Sequence, residues 1–316
     1  MNRQTIFTRT IFTILIVASC IACEKDDNIQ VSQSSYTIPG NTFFPEGIAY
    51  DDNKGVFYTG SVSNGDIVQV NVQTGASVQF AAGAAQGRAA ATGMKLDAKG
   101  RLWVCGGSDN KIHVLNPDGS LLKSWNLSSF SATGFINDCV LDNNYVYFTD
   151  SQNKQIYRTS VSVASPGDVE RWLTFTDQQI PYAATGTNAN GIVMTPSGNY
   201  LIIVVSSSGK LYRIDISSKN IVEITLNTTV LAGDGLLLDK NILYVSRNST
   251  NQIFPVTLNP EFSQGTVGTG FGDNLLFNTT MAKAGNYLLV VNGQLNRRTG
   301  TTPPTLPFTV SRVSIP

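Results

Sequence analysis

The chain is poor in charged residues and has almost no histidine. Of its 316 residues, 14% are Asp, Glu, Lys or Arg, well below the roughly 25% of an average globular protein. Acidic and basic residues balance at 22 each, so net charge gives no basis for binding nucleic acid. The single histidine, His113, lies in a strand-like run and is interpreted as structural. The sequence also has no P-loop, dinucleotide-binding fingerprint or Ser-His-Asp set.

Long apolar runs are missing too, apart from one short stretch near the start. Arg3 and Arg9 precede or flank residues 11–22, which are uncharged and mostly apolar but shorter than the ~20 residues that span a bilayer. A positive start followed by a short apolar run is typical of a signal peptide. We therefore expect residues 1–23 to be a signal peptide and not part of the fold.

Two of the four cysteines end this stretch, in the motifs VASC and CIAC. Both resemble the lipobox of bacterial lipoproteins, in which the cysteine is lipidated and becomes the new N-terminus. Cys23 is preferred over Cys20 because an EKDD segment follows it, which resembles the surface-export tag of Bacteroidetes lipoproteins. We expect a protein anchored by lipid in the cell envelope, at the outer membrane, with exposure on the cell surface as one option. An ordinary secretory signal with incidental cysteines is the alternative.

The rest of the chain divides into a short tether and one large domain. Residues 24–35 are mostly polar and are expected to form a flexible tether. Residues 36–316 are predicted to be all-β, because apolar residues alternate or form short runs bounded by Gly, Asn, Asp and Ser. The two cysteines of this domain, Cys105 and Cys139, either pair in an oxidising envelope or stay as buried thiols.

Strand-like segments repeat along this domain. The repeats begin EGIAYDDNKGVFYTG, TGMKLDAKGRLWVCG, NDCVLDNNYVYFTD, NGIVMTPSGNYLIIV, DGLLLDKNILYVS and, in degenerate form, TMAKAGNYLLVVN. Their anchoring positions are 44 to 53 residues apart: Gly47, Gly93, Asp138, Gly191, Gly235 and Met281. A period in the forties with three or four strands per unit is typical of a β-propeller, here with six blades.

Ring closure and two long loops follow from this arrangement. Residues 35–38 are strand-like and are predicted to pair with residues 309–315, which would close the ring and remove its open edges. Residues 165–187 form an insertion, and residues 296–307 are irregular and contain Pro303-Pro304. Both segments are candidates for loops that line one mouth of the central channel.

Oxygen-bearing side chains stand just before the anchoring position in four of the six repeats. They are Glu46, Asn137, Asn190 and Asp234, whereas the other two repeats offer Thr92 and Thr280, which are poorer ligands. Equivalent positions of a propeller lie on one ring around its axis. Two carboxylates balance a divalent charge and two amides add oxygens without repulsion, so one hard cation is predicted here. Ca²⁺ is preferred, with Mg²⁺, Mn²⁺ or Zn²⁺ as alternatives.

These motifs resemble those of the gluconolactonase and regucalcin (senescence marker protein) propellers, in the same order, over residues 43–258. The resemblance implies that Glu46, Asn137, Asn190 and Asp234 hold a divalent ion that polarises a lactone carbonyl. It also implies that Asp234 serves as the catalytic base. The chain departs from the sugar lactonases at Phe135, where they carry an Arg that grips the substrate two residues before the Asn-Asp pair. A less polar ligand than an aldonolactone is therefore possible.

Two functions remain open from the sequence. The first is a metal-dependent hydrolase of a lactone or similar cyclic ester, which would bind a small-molecule substrate. The second is a non-catalytic surface propeller in which the ion is structural. In both cases we expect a monomer that contacts the membrane through its lipid anchor only and does not bind nucleic acid. Asp150-Ser151 and Arg247-Asn248 end strands and are further candidates for the channel face, although each is more typical of a plain turn.

The lipidation site can be tested directly. Replacement of Cys23 by Ser should abolish labelling by a fatty-acid analogue and release the protein from membranes, because the acylated thiol is then missing. Cys20→Ser is the matched control and should leave labelling intact. Loss of labelling in Cys20→Ser alone would show that the cleavage site lies at Cys20.

Overall fold

The structure is a computed structural model that describes residues 1, 33–161 and 164–316. Apart from residue 1, the predicted signal peptide lies outside the described residues, Cys20 and Cys23 included, as do residues 24–32 of the predicted tether. Within the described ranges, the helices are single 3₁₀ turns at Ala84–Gln86, Asn248–Thr250 and Leu295–Arg297. A search of the same ranges found no helix with the length and apolarity needed to cross a membrane.

The described part of the chain is built from 24 strands. In chain order they are β1 (Ser35–Ile38), β2 (Pro45–Asp51), β3 (Val56–Ser61), β4 (Ile67–Asn71), β5 (Ser77–Ala81), β6 (Met94–Leu96), β7 (Leu102–Cys105), β8 (Lys111–Leu115), β9 (Leu121–Asn126), β10 (Ile136–Leu141), β11 (Tyr145–Asp150), β12 (Gln155–Ser160), β13 (Glu170–Thr174), β14 (Ala189–Met194), β15 (Tyr200–Val205), β16 (Lys210–Asp215), β17 (Ile221–Leu226), β18 (Gly233–Asp239), β19 (Ile242–Arg247), β20 (Gln252–Leu258), β21 (Gln264–Val267), β22 (Asn278–Ala284), β23 (Tyr287–Asn292) and β24 (Phe308–Ser314). The all-β prediction is confirmed for these residues.

The strands form a propeller-like set of antiparallel sheets. Strands β2–β5, β6–β9 and β10–β13 each make one four-stranded sheet, and β22, β23, β24 and β1 make a fourth. Instead of two further separate sheets, β14–β17 and β18–β21 share one sheet of eight strands. The short strand β21 joins them, because it pairs in parallel with β17 at Thr225 and Leu226 and so covers an otherwise open edge.

The two ends of the domain meet in one sheet, as the sequence predicts. Strand β1 pairs antiparallel with β24, with Ser35 opposite Ser311 and Ile38 opposite Phe308. The backbone N–H of Arg312 extends this ladder to the carbonyl of Ser34 at 2.8 Å. The outermost strand of the last sheet thus comes from the start of the domain, which closes the ring without a covalent bond.

Apolar clusters fill the space between neighbouring sheets. Trp103 stacks on Trp125 with ring centroids 6.0 Å apart, and Phe148 of the next sheet packs against Trp103. Trp172 is buried in the following cluster, so the tryptophans contribute to packing. Cys105 and Cys139 are both buried as free thiols in the cluster around Trp103, which resolves the alternative left open by the sequence.

His113 is buried inside β8, and neither ring nitrogen has a hydrogen-bond partner among the described residues. Burial, followed by the nearby Arg88 guanidinium, lowers the pKa of His113 to about 3. The neutral imidazole is therefore the form that the fold accommodates. The interpretation of this residue as structural agrees with its position.

This burial predicts a specific loss of stability in acid. Between pH 6.5 and 3 the unfolded chain binds a proton at His113 that the folded protein does not bind. The free energy of unfolding should fall by about 1.4 kcal/mol per pH unit as the pH decreases through this range. Urea denaturation of the wild type and of His113→Leu at pH 7, 6 and 5 measures the effect as a difference between the two proteins. Equal pH slopes would contradict it.

Candidate functional site

The first strand of almost every repeat contains the same irregularity near its start. In β2, β10, β14, β18 and β22, two residues oppose one residue of the neighbouring strand, which defines a β-bulge. The bulged pairs are Glu46-Gly47, Asn137-Asp138, Asn190-Gly191, Asp234-Gly235 and Thr279-Thr280. A bulge re-aims side chains and recurs next to functional sites. All four predicted ligands thus occupy the same structural position.

These first strands contact one another in cyclic order, and the glycines make the approach possible. A Cβ on Gly47 would lie 2.1 Å from the carbonyl oxygen of Thr92, and one on Gly191 would lie 2.4 Å from the carbonyl oxygen of Asp234. None of Gly47, Gly191 and Gly235 has a left-handed backbone. Glycine is therefore required at these positions by the close approach of the neighbouring strand and not by an unusual backbone conformation.

Hydroxyl groups join five of the six repeats to the first strand of the next repeat. In each case the side-chain hydroxyl donates to a backbone carbonyl: Thr92 to Ile136, Ser151 to Ala189, Ser206 to Gly233, Ser246 to Asn278, and Thr279 to Glu46. All of these donors are buried or half-buried. They hold the bulged residues in a fixed ring.

The four predicted ligands line a single cavity of about 690 Å³. Glu46, Asn137, Asn190 and Asp234 are each buried at its floor, with exposed fractions of 4–6%. Thr92 lines the same cavity, whereas Thr280 lines a smaller space beneath it. The structure therefore brings the four residues together at one end of the channel, and their binding of a metal stays a prediction.

The amides of Asn137 and Asn190 are oriented by serines. Asn137 Nδ2 donates to Ser151 Oγ at 2.9 Å, and Asn190 Nδ2 donates to Ser206 Oγ at 3.0 Å. With the nitrogens engaged, the amide oxygens are left for another partner. Asn137 Oδ1 and Glu46 Oε2 are both buried and have no hydrogen-bond donor among the described residues. A buried oxygen without a hydrogen-bond partner destabilises the fold, and a bound cation would supply the missing partner. These two oxygens therefore fit a cation site.

The floor of the cavity is electrostatically strained when no cation is present. Burial and the neighbouring carboxylates of Asp234 and Asp138 raise the pKa of Glu46 well above its usual value. Burial also raises the pKa of Asp234 to about 7, although hydrogen bonds from Asn248 and Asn190 oppose the shift. Within the described ranges, no group of three or more His, Cys, Asp or Glu side chains could hold a metal ion. An ion here would therefore need the amide oxygens and water as ligands.

An ion pair lies in the channel beneath this ring. Lys95 of β6 contacts Asp138 Oδ1 at 3.4 Å, and both residues line the smaller space below the floor. Lys95 also lines a cavity at the opposite end of the strands. The sequence analysis missed Lys95, although a lysine inside the first strand of a repeat was the available signal. Asp138 is engaged by this lysine and by the backbone N–H of Cys139.

The predicted loops and one turn residue complete the cavity. The insertion contributes Thr185 and Thr187, and the irregular segment near the end contributes Asn296 and Arg298. Phe135 lines the wall at the position where the sugar lactonases carry an Arg. Asn248, flagged in the sequence only as a strand-end residue, donates to Asp234 Oδ2 at 3.2 Å. Asp150, by contrast, accepts hydrogen bonds from the turn that follows it and does not line the cavity.

Fold and site together define a class: a propeller-like all-β protein with a ring of buried oxygen-bearing side chains under one cavity. The family model described as SMP-30/Gluconolactonase/LRE-like region matches residues 27–136, about a third of the chain. A search of curated proteins returned no match.

Solved structures support the fold. The allergen Mala s 1 of Malassezia sympodialis superposes with a TM-score of 0.68 at 15% identity, over 89% of this chain and 96% of that one. The calcium-binding protein regucalcin of Agrobacterium tumefaciens gives 0.65 at 15% identity, over 89% and 95%. Virginiamycin B lyase of Staphylococcus aureus gives 0.59 at 16% identity, over 89% and 98%. At this identity the likeness concerns the fold alone.

The raised carboxyl pKa values predict how a cation should act. Without metal, the folded protein holds a proton on Asp234 up to about pH 7, whereas the unfolded chain loses it near pH 4. This residue therefore lowers stability as the pH rises from 4 to 7, and a cation should restore the loss. Millimolar Ca²⁺ or Mn²⁺ should raise the melting temperature by several degrees at pH 8 and by less at pH 5.5. Asp234→Asn should flatten this difference, and an equal shift at both pH values would contradict the prediction.

Proposed function

We propose that the chain is a metal-dependent hydrolase of a lactone or similar cyclic ester, on a six-bladed propeller of the gluconolactonase and regucalcin type. The observation that carries the proposal is the floor of the cavity, where two buried carboxylates and two oriented amides share one space with orphaned oxygens. The family match over residues 27–136 and the regucalcin-like fold add support.

The blade count rests on repeat geometry. The eight-stranded sheet contains two complete four-stranded meanders, β14–β17 and β18–β21, whose hydrogen-bonded pairing with each other runs only through their outer strands. Each meander begins with the same bulge as the other repeats. Counting them as two blades gives six, in agreement with the six repeats in the sequence.

Glu46, Asn137, Asn190 and Asp234 would hold the ion, with Ca²⁺ preferred and Mg²⁺, Mn²⁺ or Zn²⁺ as alternatives. When bound, a divalent ion supplies a Lewis acid for the lactone carbonyl. Two carboxylates suffice to balance its charge, and the serine-bound amides provide neutral oxygens. The roles of the remaining residues follow from their contacts.

Asp234 is proposed to act as the general base. In the metal-free protein burial raises the pKa of Asp234 to about 7; a bound ion would lower it, so the carboxylate would be ionised and able to accept a proton. Asp234 would accept the proton of the attacking water, the water oxygen would bond to the carbonyl carbon, and the ring C–O bond would break. The proton then passes to the departing alkoxide, so the product is a hydroxy acid. Asn248 holds the carboxylate in place through Oδ2.

A lyase is the second enzymatic candidate, because the fold is shared with virginiamycin B lyase. One such structure is described as catalytically inactive after replacement of a histidine by alanine. The sole histidine of this chain, His113, is buried in β8 and does not line the cavity. Elimination through a histidine base is therefore not supported here, and hydrolysis through Asp234 is favoured.

A non-catalytic surface propeller remains the alternative to an enzyme. Phe135 favours it, since no arginine stands where the sugar lactonases grip their substrate. In that case the ion would organise a ligand-binding face. We also propose that the protein is anchored by lipid in the cell envelope through Cys23, as its sequence motif suggests, with no role for nucleic acid and as a monomer.

Two substitutions separate ligand from base. Glu46→Gln should weaken metal binding, and excess metal should restore part of the activity on a lactone panel. Asp234→Asn should lose activity by at least a hundredfold without rescue, because added metal does not replace a base. Lactone opening measured by pH-stat with and without a chelator provides the readout, and circular dichroism checks the fold.

Equal rescue of both variants would show that Asp234 is only a ligand. No turnover by the wild type on a broad lactone and ester panel, with saturating metal, would favour the surface-binding alternative.

A further inference from the structure

We propose that Arg298 binds a carboxylate of the substrate, so that the cavity selects a lactone with an apolar body and an anionic end. The inference rests on the proposed function of the same cavity and names its substrate class. It assigns specificity to a residue near the end of the chain, outside the four-residue floor.

Arg298 is the one cationic side chain among the residues that line the cavity. It is exposed at the rim, and it makes no ion pair or side-chain hydrogen bond with any residue that the structure describes. The acidic residues of the lining, Glu46 and Asp234, lie buried at the floor. The guanidinium is therefore free to meet a group that enters the cavity.

The backbone around Arg298 is fixed although its side chain is free. The buried side chain of Gln294 accepts from the N–H of Thr305 at 2.7 Å and donates to the carbonyl of Thr305 at 2.8 Å, which ties the two ends of the loop together. Arg297 Nη1 donates to the carbonyl of Pro303 at 3.0 Å and spans the same loop. Of two adjacent arginines, one holds the loop and the other faces the cavity.

The charge balance of the occupied site favours an anion. Glu46 and Asp234 together balance a divalent ion at the floor, which leaves Arg298 as the uncompensated charge of the cavity. A planar guanidinium also matches a carboxylate with two parallel hydrogen bonds. An anionic substrate would therefore be attracted to the cavity, whereas a neutral one would gain nothing from this residue.

The walls between rim and floor are suited to an apolar body. Phe135, Phe277, Val62 and Leu295 all line the cavity. Phe135 stands where the sugar lactonases carry the arginine that grips their substrate. The one cationic residue of the lining, Arg298, lies at the rim instead. The lining thus separates three zones: oxygen ligands at the floor, apolar groups at the wall and a cation at the rim.

The test uses an aryl-substituted γ-lactone that carries a carboxylate, together with its carboxamide of the same shape, with the full-length protein in saturating Ca²⁺. The wild type should prefer the carboxylate in kcat/KM by about tenfold or more, and 1 M NaCl should reduce the preference because salt screens exposed charges. Arg298→Gln should lose the preference through KM, and Arg298→Lys should retain part of it. Lys240→Gln is the control. Strand β18 begins at the floor and ends at the opposite face, and the exposed Lys240 lies in the turn after it. Its loss should leave the preference for the carboxylate unchanged.

Binding of both ligands is also measured by calorimetry, independently of turnover. If neither lactone is opened, the proposed hydrolase fails, but a weaker affinity of Arg298→Gln for the carboxylate alone would still support the assignment of Arg298. Equal effects of Arg298→Gln on carboxylate and carboxamide would overturn it, as would the absence of binding of both ligands to the wild type.

Discussion

Close contact between the first strands of neighbouring sheets is the constraint on which the site depends. Glycine at Gly47, Gly191 and Gly235 lets one backbone approach the next, and a bulge at each place turns the preceding side chain to the channel. Hydroxyl groups such as Thr279, which donates to the carbonyl of Glu46 at 2.8 Å, lock the contact. Because these features recur around the ring, four oxygen-bearing side chains reach one cavity with no helix and no long loop to position them.

That geometry concentrates negative charge in a place that water reaches poorly. Burial raises the pKa of both Glu46 and Asp234, the Asp234 carboxylate raises that of Glu46 further, and Asn137 keeps an oxygen without a donor. Buried groups of this kind destabilise a fold unless something compensates them. A divalent cation would compensate both the carboxylates and the orphaned oxygens at once. Stability and the proposed activity would then depend on the same ion.

The likeness to an allergen, a calcium-binding protein and a lyase shows how little the fold alone restricts the chemistry. What distinguishes this chain lies at the floor and the rim of one cavity. The floor carries the four residues of the motifs that resemble the lactonases, yet Phe135 stands where those enzymes carry an arginine, and Arg298 lines the cavity from a different loop. If Arg298 binds the substrate as proposed, relocation of one charge would change the substrate class without any change in the ring of oxygen-bearing side chains.

The sequence by itself determined the all-β class, the closing pair of β1 and β24, and the four residues of the floor. It could do so because repeat-equivalent positions such as Asn190 and Asp234 must share one radius and height in a ring. Only the tertiary structure decided that β17 and β21 join two repeats in one sheet, that Ser151 and Ser206 orient the amides, and that Lys95 lies beneath the floor. It also decided that Arg298 faces the cavity while Arg297 binds the loop. These features depend on contacts between different strands and loops, which no local pattern or repeat encodes.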